Sequence, residues 1–193
     1  MILSTKVISI FSIAFVMGLI LFSGPSMTSP VHGQTSSSRP PDRERVITVA
    51  REIMAAARYC ALITVDSTGR AHARTLDPFA PDEQMVVWLA TNPRSRKVAE
   101  IKGNPRVTLY YFDREGQGYV TIYGIARLVN DLQEKTKRWK TEWQAFYPNR
   151  EKDYLLIAVT PERMEVVSET KGITGDSKTW RPPAISFPRK KSR

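Results

Sequence analysis

Seven consecutive residues, Thr91-Asn92-Pro93-Arg94-Ser95-Arg96-Lys97, gather two hydroxyl-bearing side chains and three cations at one point. An apolar run ends there and an amphipathic run begins, which predicts a strand leading into a short helix that Thr91 or Asn92 caps, Pro93 opens and Gly103 ends. A helix start already carries partial positive charge, so cations there are mildly unfavourable and acids are the usual choice. First-turn N–H groups, the hydroxyls of Thr91 and Ser95, and the charges of Arg96 and Lys97 could together hold a phosphate-like anion. The competing reading is a solvated helix start whose cations point into water, at a cost of only ~0.3–1 kcal/mol.

Other reactive chemistry is thinly supplied. The chain has two histidines and one cysteine. His32 falls in an N-terminal segment that reads as removable, which leaves His72. There is no Cys/His metal cluster and no set for a Ser-His-acid triad. His72 alternates with Ala71 and Ala73 and reads as structural. Cys60, within the apolar run "YCALITV", reads as a small buried side chain and has no partner for an internal disulfide. Asp113 and Glu115 belong to a turn that favours such residues for backbone reasons. Chemistry, if present, must come from a cofactor.

A length of 193 residues suits one domain with extensions. Lys6 is the only charge before the apolar run 7–22, and small and polar residues follow up to "VHG" before Gln34. Residues 1–33 therefore read as a secretory signal peptide, with an uncleaved membrane anchor as the alternative. The protein is then exported, periplasmic or secreted. Residues 34–41 read as a flexible linker, 42–170 as the folded domain and 171–193 as a basic C-terminal tail. Without residues 1–33, Lys+Arg falls from 29 to 28 against 19 acids, a net charge of +9. The cations are spread along the chain and accompany no nucleic-acid motif, so a basic globular domain is the reading and nucleic acid is not an expected partner.

The elements that must position the basic corner follow from periodicity. Residues 42–59 carry Val46, Val49 and Ile53 at helical spacing, with Asp42 as cap. Strands are predicted at 59–65 and 71–76 around "DSTGR", at 85–90, and at 106–112 and 118–129 around "DREGQ". A second helix capped by Asp131 should run through "LQEKTKRWKTEWQAFYP" to Pro148, and 154–167 gives one or two last strands. Five or six antiparallel strands with helices inserted singly predict a mainly β fold, a small barrel with flanking helices.

From residue 59 to 161 the chain resembles the pyridoxamine 5'-phosphate oxidase-like superfamily of FMN-binding split β-barrels, in the style of its general stress protein branch. The carrying segments are "ALITVDSTGRAHARTL", "WLATNPRSRKVAEIKGNPRVTLYYFD", "GYVTIYGIARLV", "RWKTEWQAFYP" and "DYLLIAVTPERMEVV", about half of the chain in order. The resemblance implies that Ser95, Arg96 and Lys97 hold the phosphate of FMN and that Thr91 contributes to the phosphate or ribityl contacts. It implies that Arg74, Thr75 and Leu76 lie along the ribityl and isoalloxazine, and that Tyr119 approaches the flavin from the neighbouring subunit of a homodimer. A flavoprotein oxidoreductase acting on a small-molecule substrate is the implied function. True pyridoxamine 5'-phosphate oxidases carry a Lys shortly after the Arg of the second strand, where this chain has Asp77 and Pro78, so that particular activity is not expected. Two alternatives accompany this reading: a non-catalytic module for flavin, haem or another anionic ligand, and a reductase using a deazaflavin coenzyme.

Overall fold

Alternation of apolar and polar side chains governs most of residues 42–188, the part of the chain that the computed structural model describes. The expected signal peptide, the linker and residues 189–193 lie outside them. Helix α1 (Arg43–Ala57) buries Val46, Val49, Ala50, Ile53 and Met54 on one face. Strands β1 (Cys60–Val65) and β2 (Ala71–Leu76) form a hairpin whose turn is drawn in by Asp66, which accepts from the backbone N–H groups of Thr68 and Arg70. Then come β3 (Val87–Thr91), α2 (Arg96–Gly103), β4 (Arg106–Asp113) and β5 (Gly118–Val129). After α3 (Leu132–Lys137), a 3-10 turn (Thr141–Ala145) and α4 (Arg150–Asp153), the chain ends in β6 (Leu155–Ser168) and β7 (Ala184–Ser186).

The strands form one seven-stranded antiparallel sheet in the order β2-β1-β4-β5-β6-β3, with β7 added on β6. A bridge between Pro78 and Leu89, and a bond from Phe79 N–H to the Trp88 carbonyl at 2.9 Å, join the chain after β2 to β3. They link the two ends of the strand order, as a barrel requires. Leu62, Leu109, Ile122, Ile157, Val159 and Met164 fill the interior, closed on one side by α1. A second cluster of Trp88, Val129, Trp143, Tyr154 and Leu156 packs outside it, beneath the segment from α3 to α4. The register of β5 against β6 shifts at Tyr123/Gly124. Glycine is required there, since a Cβ on Gly124 would stand 2.5 Å from the Thr160 carbonyl oxygen.

Several local expectations are corrected. The helix after β3 starts at Arg96 with Ser95 as its cap residue, because Asn92 folds residues 92–95 into a turn. Its carbonyl accepts from Ser95 N–H and its side chain accepts from Arg94 N–H. Strand β3 starts two residues late, since Met85 turns the chain at φ 62. The single helix expected up to Pro148 is broken into two pieces, α3 and the 3-10 turn, and α4 follows beyond Pro148. Trp139, Trp143, Tyr147 and Tyr154 all turn onto one another, with ring centroids 5.2–6.4 Å apart, and no straight helix could place all of them so. Residues 171–188, read as tail, are packed on the barrel through buried Ile173 and Ile185, with β7 pairing to β6.

Candidate functional site

The end of β3 and the start of α2 bring Thr91, Ser95 and Lys97 together. Thr91 is buried and its Oγ1 is the hub, 2.9 Å from Ser95 Oγ and 3.2 Å from Lys97 Nζ, which donates to it. Ser95 makes no side-chain cap, so its hydroxyl serves this cluster and leaves the first turn of α2 uncapped by side chains. Burial, and secondarily the Arg74 charge, hold the Lys97 ammonium below its ordinary pKa. A half-withdrawn ammonium bonded only to a hydroxyl is short of an anion. Arg96 is largely exposed beside it. Arg94, the third cation of the motif, is committed elsewhere, pairing with Asp153 of α4 at 2.8 Å.

Directly behind these cations is a buried acid. Glu100, one turn further along α2, accepts from the Thr64 hydroxyl and, at 2.9 Å, from Arg74 Nη2. Its other oxygen lies 3.1 Å from Arg96 Nε and 3.7 Å from His72 Nε2. Burial alone would raise this carboxyl, but the Thr64 and Arg74 bonds outweigh it and hold the group below the usual carboxylate range. Arg74 also donates to Thr64 Oγ1 at 2.5 Å and to the Leu62 carbonyl at 3.3 Å. The inward-facing side chains of β2 therefore tie that strand to α2, and His72 is anchored by Asp66 at 2.8 Å, a structural role. Sequence reasoning missed Glu100. Its i,i+4 spacing from Arg96 was visible, but such pairs usually lie on the surface, and nothing local shows that this one points inward.

The remaining predicted residues are distributed along β2 and the outer sheet. Arg74 reaches the cluster through Glu100, Leu76 packs against the barrel core, and Thr75 faces outward. Tyr119 lies on the outer face of β5, where its ring meets Tyr110 at 5.8 Å and not the Thr91–Lys97 group. Tyr110, Phe112 and Tyr123 extend that face as exposed aromatics. Ile122 and Trp143 are consumed by the chain's own interior. Cys60 is no nucleophile, since burial pushes its thiol up to about 12. Among the described residues no group of His, Cys, Asp or Glu is placed to hold a metal ion, and no helix is long and apolar enough to cross a membrane.

A split β-barrel with a basic strand–helix corner is the class of protein that fold and site define. The chain belongs to the pyridoxamine 5'-phosphate oxidase-like family, whose sequence model matches residues 45–175. It is 28% identical to general stress protein 26 of Bacillus subtilis over 104 residues, 52% of this chain and 73% of that protein. Among solved structures, a protein related to general stress protein 26 from Clostridium acetobutylicum superimposes with a TM-score of 0.59 at 21% identity, covering 67% of this chain and 92% of that one. A pyridoxamine 5'-phosphate oxidase-related, FMN-binding protein from Nostoc punctiforme gives 0.54 at 16% identity, covering 79% and 99%. These likenesses bear out the split-barrel fold.

Proposed function

We propose that this protein is an exported, homodimeric FMN-binding oxidoreductase. The observation that carries the reading is the Thr91 hub, where Ser95 Oγ and Lys97 Nζ converge at 2.9 and 3.2 Å on one hydroxyl with no carboxylate on the ammonium. This donor set fits a flavin phosphate: hydroxyls, an ammonium, the exposed Arg96 guanidinium and an uncapped first helical turn all favour a dianion. Thr91, Ser95, Arg96 and Lys97 would hold the phosphate, while the exposed edge strand β2, with Arg74, Thr75 and Leu76, would run along the rest of the cofactor. When bound, FMN supplies hydride transfer. Glu100 keeps Arg74 and Arg96 in place and moderates the positive field behind the phosphate.

The outer aromatic face supports the homodimer, since a stripe of exposed Tyr110, Phe112 and Tyr123 with half-buried Tyr119 suits a two-fold contact. Vitamin B6 phosphate oxidation is not part of the proposal. Asp77 stands near the position of the Lys that such oxidases carry, and its carboxylate is taken by Lys140 at 2.6 Å and by the Trp143 indole at 3.1 Å. The apolar run 7–22 supports export, which intact-mass analysis of the secreted or periplasmic protein checks through loss of residues 1–33.

Titration of wild type and an Arg96→Gln/Lys97→Gln variant with FMN and with riboflavin tests the site. Two lost charge-assisted bonds should weaken FMN binding by about 3–5 kcal/mol, allowing for non-additivity. Riboflavin, without the phosphate, should bind both forms weakly and alike. Equal FMN affinities would remove the phosphate site.

A further inference from the structure

We propose that the cleft between the C-terminal half of α1 and the chain after β2 is a second ligand site, suited to a small carboxylate with an apolar body. The cleft encloses about 520 Å³, inside the ~300–1,000 Å³ range of small-molecule sites. None of Thr91, Ser95, Arg96 or Lys97 lines it. One wall is a single face of α1, with Arg51, Met54 and Ala55 at helical spacing and Arg58 just past the helix end. Residues 77–81 form the facing wall, Lys140 and Glu142 close one side, and Tyr111 contributes to the lining from within the sheet.

The walls are pre-formed. Arg51 donates to the carbonyls of Pro81 at 2.8 Å and Asp82 at 2.5 Å, which fastens the loop to the helix. Lys140 donates to Asp77 Oδ1 at 2.6 Å and to the Pro78 carbonyl at 3.0 Å, and the Trp143 indole N–H takes the other Asp77 oxygen. A cleft fastened from both sides spends little ordering entropy when a ligand enters.

Arg58 is the cation left over. Its guanidinium has no hydrogen bond or ion pair among the described residues and meets only the Tyr59 ring, 5.4 Å away. Its backbone sits at φ 60, ψ −44, a γ-turn closed by the bond from Tyr59 N–H to the Ala57 carbonyl at 2.6 Å. Glycine would take that conformation with far less strain than a residue with a long side chain. A cation at a helix C-terminus is mildly favourable, which accounts for the charge and not for the strain. Strained backbone of this kind is retained where it places a functional group.

The class of ligand follows from the charges. Asp77 cancels Lys140, while the carbonyls bonded to Arg51 leave its charge in place beside that of Arg58. Glu142 subtracts one, so the cleft keeps a net positive charge. The C-terminal carbonyls of α1 carry only ~0.5 of a negative charge against the two guanidiniums. Phe79, Pro81, Ala55 and Ala80, which are at least partly exposed, offer an apolar body its contact area.

Indole-3-acetate, indole-3-acetamide and tryptamine share one body and differ in charge, and each is titrated into the isotope-labelled full chain with amide shifts as readout. Indole-3-acetate should shift Ala55, Ala80 and Glu142 and bind at least tenfold tighter than the other two. Arg58→Gln should abolish that preference, and Arg96→Gln/Lys97→Gln should leave it intact. Arg58→Gly should also abolish it while raising the thermal midpoint, because the strain goes with the side chain. No shifts in the cleft, equal binding of the three probes, shifts centred on Thr91–Lys97, or an unchanged preference in Arg58→Gln would each overturn the site.

Discussion

The Arg74 guanidinium lies 2.9 Å from Glu100 Oε2, with the two side chains only 18% and 4% exposed. This pair couples the edge strand β2 to helix α2 and sets a negative charge directly behind the proposed phosphate site. Its removal should therefore pull stability and affinity in opposite directions. Glu100→Gln leaves Arg74 withdrawn from water without its counter-charge, at a cost of about 3 kcal/mol, near the low end for breaking a buried pair. The same change strengthens the field at Lys97 and Arg96, and FMN should bind tighter, on the order of tenfold. Urea unfolding and flavin titration read the two effects separately. An unchanged midpoint, or weaker FMN binding, would count against this arrangement.

Acid stability carries the same signature. The Glu100 carboxyl titrates below its ordinary range in the folded protein, so its contribution is present above the unfolded pKa and is lost as pH falls through the folded one. Wild type should lose stability on that descent more steeply than Glu100→Gln, whose curve lacks this group. Parallel unfolding curves from neutral pH into the acid range would show that Glu100 contributes nothing.

Lys97 titrates at the alkaline end. Burial lowers its pKa, so it loses its proton at a lower pH than an ordinary lysine, and phosphate affinity should fall as pH rises through that lowered value. A guanidinium does not deprotonate there. Lys97→Arg should consequently hold a flatter FMN affinity across the alkaline range, whatever its affinity at neutral pH. Identical pH profiles for the two proteins would exclude Lys97 from the phosphate contact.

The bulge between β5 and β6 rests on one missing methyl group. In Gly124→Ala the new Cβ would meet the Thr160 carbonyl oxygen at 2.5 Å and Val159 Cγ1 at 3.0 Å. Because the nearer neighbour is backbone, the strands must part, at about 1–3 kcal/mol. A lowered denaturant midpoint with an unchanged slope is the expected result, and wild-type stability would refute the crowding.

Phe112 and Tyr123 sit exposed on the outer sheet face, which the proposed dimer would cover. Replacing both with Glu should weaken dimerisation by about 2 kcal/mol or more, ~30-fold in dissociation constant, while each barrel stays folded. Sedimentation equilibrium measures this directly. A wild-type monomer at micromolar concentration, or a double variant that dimerises as well as wild type, would place the contact elsewhere or nowhere.

The sequence by itself determined the class of the fold and the corner on which the site is built. Period-two patterning located the strands, and hydroxyls and cations crowded at a strand end marked the corner proposed to hold an anion, because both signals lie within a few consecutive residues. Tertiary structure decided what each cation does. Arg94 turns to Asp153, 59 residues away, and Arg74 turns to Glu100, 26 residues away, so of the four cations only Lys97 carries no carboxylate, while Arg96 shares Glu100 and stays largely exposed. It also decided that the Trp-rich segment breaks, since Trp143 gains more from Asp77 and the surrounding rings than from a continuing helix. Residues 171–188 likewise become part of the barrel only through Ile173, Ile185 and the free edge of β6. Each of these outcomes is a competition between partners distant in sequence, which local spacing does not encode.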